Sequence, residues 1–372
     1  MLKTCVKNEC TAWQYALIFG IRGNKTDFEK IVWFLTIAVL CILTAHTLFD
    51  LYSIHVWRHD ALLYFDSYAW KLKTEGRWLN FLCFNILKLI PPYLSILLSF
   101  CSFFYFIYIC AANIVQKKNA FLFSLCALQI SPIYSLVGWP LTPLPSYLLL
   151  AASAFFYKKL DFRLFFLIFG ILFHGAFNNF YNLLPLLFLG KIYRNPKKFI
   201  SLFFYYVTGF LLGFLFAELA VFLVSGSLIR VADWRHPQPV HNFSDLFRNI
   251  ESSFHNFLVN TRAFGSLPLA ICLASAVVAL CIKNGKMRIV PFLLLAVITF
   301  STYSQVIPLG IGVDLRTAFS LYLGFIFSII FLYNKFFPVA CFACIIVAFC
   351  FFSKNASYLQ YHNIITSTYY NY

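Results

Sequence analysis

Long apolar runs alternate with short polar segments along most of the chain. Many runs approach 20 residues, the length that an α-helix needs to cross the hydrocarbon core of a bilayer. A membrane β-barrel would instead show short segments of alternating polarity. The pattern predicts about eleven spanning helices, at 31–49, 93–115, 120–136, 146–157, 164–177, 181–190, 199–224, 264–282, 289–307, 317–333 and 336–352. We therefore expect an all-α, polytopic integral membrane protein.

Composition excludes a water-soluble enzyme. Hydrophobic residues make up 61% of the 372 residues and charged residues only 11%, whereas soluble domains carry about 25% charged residues. Most of the 12 cysteines lie in apolar runs, where cysteine acts as a small apolar residue. Neither a metal-ligand spacing nor a glycine-rich phosphate loop is evident. We therefore expect no metal, no other cofactor and no nucleic-acid partner.

The distribution of lysine and arginine orients the chain, because cytoplasmic loops of membrane proteins are enriched in both. If the N-terminus is cytoplasmic, 18 of the 29 basic residues fall in that segment and in the short loops on its side. The resulting organisation is a cytoplasmic segment 1–30, one membrane domain 31–352 and an external tail 353–372. The larger outer segments are then 50–79 and 225–262, and a short one follows at 308–316.

Two further features refine this arrangement. The pair Pro91–Pro92 should interrupt any helix through 79–98, so residues 79–90 are expected to form a separate juxtamembrane or re-entrant helix. Glu218 is the one acid deep within a predicted span. Such a residue is either a functional group or a hydrogen-bonded packing residue, and both alternatives stay open.

The first outer segment concentrates carboxylates, cations and aromatic rings. Its charged residues after the first span include Arg58, Asp60, Asp66, Lys71, Lys73, Glu75 and Arg77. An amphipathic helix at the membrane surface explains the aromatic rings and the lysines. It does not explain the carboxylates, which gain nothing beside anionic headgroups. We therefore expect Asp60 and Asp66 to be catalytic.

The order of residues in this segment carries a family resemblance. His59-Asp60 follows the first predicted span, and Gly76-Arg77-Trp78 comes about 15 residues later. The segment resembles the type-specific O-antigen glucosyltransferases of bacterial inner membranes, which have an acidic pair and then a Gly-Arg motif in these places. Asp60 matches the second acid and Arg77 the motif arginine, while His59 stands where the family has its first acid.

The resemblance implies a GT-C-like fold and a multi-pass protein of the bacterial inner membrane, with its active site on the periplasmic side. It implies transfer of a sugar, glucose in that family, from a polyprenyl-phosphate donor. The acceptor would be O-antigen or a related surface polysaccharide, either lipid-linked or on lipopolysaccharide.

The residue types suit this chemistry on their own. A carboxylate must accept the proton of the acceptor hydroxyl, which is the role predicted for Asp60 with Asp66 beside it. Arginine binds a departing phosphate through its bidentate fork, and Arg77 and Arg316 are predicted to do so. Further substrate contacts are expected from both outer segments, at Arg58, His59, Trp78, Arg230, Asp233, Arg235 and His236.

The second outer segment allows more than one interpretation. Its histidines lack zinc spacing, and His236-Pro237 indicates a turn. Residues 243–258 are expected to be partly helical, either as a lid over a substrate or within a connecting loop. An Arg- and His-rich second outer segment also fits an O-antigen polymerase. A lipid-oligosaccharide flippase is a third alternative, although it should place several polar residues near the membrane midplane.

Overall fold

The structure is a computed structural model, and it describes residues 25–52, 68–136, 140–281 and 289–370. Within these ranges the regular secondary structure is helical, without strands. The α-helices are α1 Lys25–Tyr52, α2 Ala69–Glu75, α3 Trp78–Leu87, α4 Pro92–Ala112, α5 Lys117–Ala127, α6 Ser131–Leu136, α7 Leu144–Phe156, α8 Phe162–Gly175, α9 Leu189–Arg194, α10 Lys198–Ser225, α11 Phe243–Phe264, α12 Ser266–Cys281, α13 Ile289–Val306, α14 Phe319–Ile326 and α15 Phe337–Tyr370. Short 3-10 helices occupy Asn178–Phe188, Asp233–Arg235, Ile307–Leu309, Leu315–Thr317 and Phe327–Leu332.

Several helices are long and apolar enough to cross a membrane. Among the described residues, five qualify by length and composition, in α1, α4, α10, α13 and α15. The pair α11–α12 passes the same test only as one span, and it is bent by 99°. Large apolar side chains on these helices remain exposed, such as Leu223 of α10 with 74% of its surface accessible. Because soluble proteins rarely expose such faces, the molecule is a multi-pass membrane protein.

Eleven runs were expected to span the membrane, and among the described residues five are single helices of spanning length, or six if the bent pair counts as one span. Apolar runs that are continuous in sequence divide into shorter helices in the structure. The run 120–136 is divided between α5 and α6, and Pro132 lies in the first turn of α6. The run 181–190 falls largely in the 3-10 helix Asn178–Phe188, which contains Pro185. Proline removes a backbone donor, so these runs do not continue as regular α-helices of spanning length.

The interruption at Pro91–Pro92 is confirmed. Helix α3 ends at Leu87 and α4 begins at Pro92, so α3 is a separate ten-residue helix. Helix α15 continues past the end of the last predicted span, to Tyr370.

Helices α8 and α10 pack with their backbones in contact, and this packing supports the candidate site. A Cβ atom on Gly170 of α8 would overlap the carbonyl of Gly209, and one on Gly213 would overlap the carbonyl of Gly170. Small residues four apart allow such close approach of helices in membranes. The phenol of Tyr181 adds a hydrogen bond to the carbonyl of Tyr206 at 2.7 Å. Both helices also contact α3, where Trp78 lies against Gly175 of α8 and Phe216 of α10.

A buried amide links the surrounding helices. The Asn182 amide donates to Thr302 Oγ1 of α13 at 3.0 Å, and the Tyr206 hydroxyl of α10 donates to Asn182 Oδ1 at 2.7 Å. A buried polar group is costly unless it is hydrogen-bonded, so this network favours one arrangement of α10 and α13.

Candidate functional site

The candidate site begins at the turn between α2 and α3. Helix α2 ends at Glu75, and the φ of 69° at the capping residue Gly76 lies in the left-handed region that glycine adopts readily. A Cβ atom there would come within 2.6 Å of Ile229 Cδ1. Glycine is therefore needed both for the turn and for the approach of the second outer segment. The turn places the Arg77 side chain back beside Glu75.

Three cations surround the carboxylate of Glu75. Lys71 Nζ lies 2.7 Å from Glu75 Oε1, one helical turn before it. Arg235 Nη2 lies 3.2 Å from the same oxygen, and the Arg77 guanidinium pairs with Oε2. We call Lys71, Glu75, Arg77 and Arg235 the cationic cluster. It carries an excess of positive charge, because three cationic side chains face one carboxylate.

The cluster lies largely out of solvent. The Glu75 and Arg77 side chains are 10% and 9% exposed, and that of Arg235 is 33% exposed. For Glu75 the largest influence on the pKa is burial, which raises it, but Arg77, Lys71 and Arg235 together lower that pKa to about 2. Burial, with the nearby charge of Arg77, outweighs Glu75 and lowers the pKa of Lys71 to about 8. Burial also lowers the pKa of Arg235.

The low pKa of Glu75 indicates that this carboxylate holds cations and does not act as a base. Glu75 stays ionised at neutral pH, but its oxygens already accept from cations and its pKa is far from that of a general base. It therefore acts as an anchor that holds cations in place. An anion bound near the cluster would gain Coulomb energy where solvent screening is weak, so anion binding is the chemistry that the cluster favours.

Aromatic side chains pack against the turn between α2 and α3. The Arg77 guanidinium lies 4.7 Å from the centroid of the Phe177 ring, a cation–π distance. The half-buried Trp78 ring lies 5.4 Å from that of Phe216 and against Gly175, where a Cβ would overlap the indole. Trp78 was predicted as a substrate contact, and in the structure it packs between the ends of α8 and α10.

Glu218 holds the second outer segment against this turn. Its Oε2 accepts a hydrogen bond from the Ile229 amide at 2.8 Å. The neighbouring Arg230 amide donates to the Lys73 carbonyl at 3.4 Å. Of the two alternatives for Glu218, the structure favours the hydrogen-bonded packing residue.

The third outer segment completes the assembly. Gln238 and Val240 donate their amides to the carbonyls of Leu309 and Pro308, at 2.8 and 3.1 Å. Arg316 Nε lies 2.8 Å from Asp314 Oδ2, and both residues act electrostatically on Arg235. The charge distribution assigned three segments to one face, namely 50–79, 225–262 and 308–316. In the structure, the second of them contacts both of the others.

The structure brings together only part of the predicted site. Arg77, Arg235 and Arg316 converge. The side chains of Arg230, Asp233 and His236 are exposed and form no ion pair within the described part of the chain. Sequence reasoning did not include Lys71 and Glu75 among the site residues, although their spacing of four on one helix face was a usable signal. The predicted residues that lie outside the described ranges are Arg58, His59, Asp60 and Asp66.

No group of three His, Cys, Asp or Glu side chains that could hold a metal ion occurs within the described ranges. Comparison of the chain with protein-family models, with curated proteins and with solved structures finds no match. The site must therefore be interpreted from its own geometry and from the chemistry of its residues.

Proposed function

We propose that this protein is a glycosyltransferase of the bacterial inner membrane with about eleven membrane segments and a GT-C-like fold. In this proposal it transfers a sugar, glucose by family resemblance, from a polyprenyl-phosphate donor to O-antigen or a related lipid-linked polysaccharide. The reaction takes place on the periplasmic face.

The cationic cluster is the observation that carries the proposal. A polyprenyl-phosphate sugar presents its single charged group at the membrane surface, next to an apolar chain. A site for it needs cations that are shielded from water and adjoin apolar helices. Lys71, Arg77 and Arg235 meet this requirement, because they share Glu75 beside the apolar helix α3.

The proposed reaction needs few catalytic groups. The acceptor hydroxyl attacks the anomeric carbon, and its proton passes to the carboxylate of Asp60. The bond between that carbon and the phosphate oxygen breaks, and the electron pair leaves with polyprenyl phosphate. The arginines stabilise the charge that develops on this phosphate, while Asp66 supports the base. Glu75 positions the cations and takes no proton.

An O-antigen polymerase is the alternative, and one observation favours it. Arg235 and Arg316 place cations from two further segments beside the first one, and a polymerase must hold two lipid-linked substrates at once. The product separates the alternatives. A transferase adds one branch sugar to each repeat unit, whereas a polymerase lengthens the chain.

The test measures cleavage of glucosyl polyprenyl phosphate by the full-length protein in vesicles. We expect Arg235→Gln to lower donor turnover by about 10²-fold, as removal of one positioned donor does. Arg248→Gln is the matched control, since Arg248 is an exposed arginine of the same outer segment and pairs with Asp245. Wild-type turnover in Arg235→Gln would refute the assignment of the cluster as the phosphate site.

A further inference from the structure

Helix α11 is amphipathic in an unusual way, because its surface divides into three sectors. Successive residues of an α-helix are offset by about 100°, so residues spaced by three, four, seven and eleven share a face. One sector carries small polar side chains, a second carries aromatic rings, and a third carries charged and polar groups. Each sector needs its own surroundings.

The first sector binds the rest of the protein. Asn249 donates its amide to the carbonyls of Gln238 and Ile307, at 2.8 and 3.0 Å. Ser253 donates to the Tyr303 carbonyl at 2.8 Å. Further along the same face, Asn256 Oδ1 accepts from the Val313 amide at 2.6 Å and Asn260 donates to the Val313 carbonyl at 3.0 Å. This face fixes α11 to the segments that carry Arg235 and Arg316.

The second sector is apolar and exposed. Phe243, Phe247 and Phe254 are 80%, 68% and 56% exposed, and Ile250 and Leu258 lie on the same side. We call these five residues the aromatic stripe. The stripe continues onto a spanning helix, because the Phe254 ring stacks on Phe257, whose centroid lies 4.6 Å from that of the exposed Phe300 of α13.

The third sector suits water. Arg248, Ser252 and His255 are exposed, and Arg248 pairs with Asp245 at 3.0 Å. At Gly265, whose φ is 104°, the chain turns by 99° into the apolar helix α12. An apolar helix such as α12 that enters the bilayer leaves α11, at nearly a right angle to it, along the membrane surface. It then has protein, lipid and water on three different sides.

We propose that α11 is an in-plane membrane helix whose aromatic stripe binds the lipids of the outer leaflet and holds the cationic cluster at the depth of the headgroups. The occupant of the stripe is lipid because the stripe is continuous with the lipid-facing surface of α13 and because α11 meets α12 at a right angle. Interfacial helices bury an aromatic face of this kind about 5–10 Å into the headgroup boundary. The binding of lipid by the aromatic stripe does not depend on the proposed transferase reaction.

The experiment uses the full chain in vesicles of phosphatidylethanolamine and phosphatidylglycerol. The photoreactive residue benzoylphenylalanine replaces Phe247 or Phe254, and in matched controls Ser252 or His255. After illumination, mass spectrometry identifies the adducts. We expect lipid adducts at 247 and 254 with at least a tenfold higher yield than at 252 and 255.

Two outcomes would overturn the proposal. One is an equal lipid yield on both faces, and the other is a protein adduct at 247 and 254, which would make the stripe a contact with a second copy or another protein. A second measurement needs no substitution. The wild-type chain is illuminated with a diazirine-labelled phospholipid, and the labelled peptides are mapped. Labelling of α12 and α13 without labelling of the aromatic stripe would also contradict lipid binding by the stripe.

Discussion

Arg235 and Glu75 are 160 positions apart in sequence, yet Arg235 Nη2 lies 3.2 Å from Glu75 Oε1. The contact joins the two larger outer segments, and Lys71 Nζ shares the same carboxylate oxygen. One buried carboxylate thus determines where cations from two segments of the chain meet.

Arg77 should not be replaceable by lysine. Its guanidinium pairs with Glu75 and lies over the Phe177 ring, and an ammonium cannot make both contacts and still present a planar fork to phosphate. We expect Arg77→Lys to lower donor turnover by about 10²-fold, nearly as much as Arg77→Ala. Turnover of glucosyl polyprenyl phosphate in vesicles measures this effect. Full activity of Arg77→Lys would indicate that Arg77 only supports the fold as a point charge.

Affinity for a phosphate monoester should fall as pH rises above about 8. The pKa of Lys71 is about 8 because burial and Arg77 outweigh Glu75. A bound dianion raises that pKa, so binding above pH 8 takes up a proton and weakens by at most about tenfold per pH unit. Polyprenyl phosphate itself is dianionic throughout this range, since its second pKa is about 6.

Titration of binding between about pH 7 and 9.5 measures this dependence. The variant Lys71→Met removes the titrating group, so we expect weaker binding with a flat pH profile. Lys73→Met is the control, because Lys73 is an exposed lysine of the same helix. An unchanged slope in Lys71→Met would assign the pH dependence to another group.

Glu75→Gln should destabilise the protein strongly. It leaves buried cations without their carboxylate, which costs about 3–5 kcal/mol. The folded-state pKa of Glu75 lies at about 2, below its usual value of 4.5. The stabilisation is therefore complete above pH 4.5 and is lost as pH falls towards 2.

Thermal unfolding in detergent, measured at several pH values, tests this prediction. The difference in Tm between wild type and Glu75→Gln should narrow below pH 4.5, whereas the exposed Glu251→Gln should unfold like wild type. Added inorganic phosphate should raise the Tm of Glu75→Gln more than that of wild type, because the anion takes the place of the carboxylate. An equal rise in both proteins would contradict an anion site at the cluster.

Asp60 and Asp66 should differ in their effect on catalysis. Asp60→Asn keeps the side-chain shape but removes the proton acceptor, so we expect donor-to-acceptor transfer to fall by roughly 10²–10⁴-fold with normal protein levels. Asp66→Asn should lower the rate of transfer by a smaller factor. If Asp60→Asn keeps the wild-type rate of transfer and Asp66→Asn loses transfer activity, then Asp66 is the base and Asp60 the supporting residue.

The orientation in the membrane can be tested with reporter fusions. A fusion after Lys286 should report a cytoplasmic position, because basic loops remain inside. A fusion after Ser244, at the start of α11, should report the periplasm. A cytoplasmic signal from Ser244 would reverse the orientation and place the cationic cluster on the wrong side for a polyprenyl-phosphate donor.

The class of protein and the grouping of three polar segments on one face could be predicted from the order of residues alone. Hydropathy is a local property of consecutive residues, so apolar runs such as that of α10 indicate membrane helices without further information. The distribution of basic residues assigned 50–79, 225–262 and 308–316 to one face, and parts of these segments are in contact in the structure. The interruption before Pro92 could likewise be predicted, because proline interrupts the helix in which it lies.

Which charged residues lie together could be seen only in the folded chain. Arg230 and Arg235 look equivalent in sequence, but Arg235 lies against Glu75 while Arg230 is exposed. The difference arises from contacts between distant segments: Glu218 holds the amide of Ile229, and Gly76 leaves room for that side chain. Such contacts depend on the packing of α8 and α10 and leave no periodic pattern in the sequence. The folded structure also sets two pKa values: burial lowers that of Lys71, and the neighbouring cations lower that of Glu75 although burial raises it.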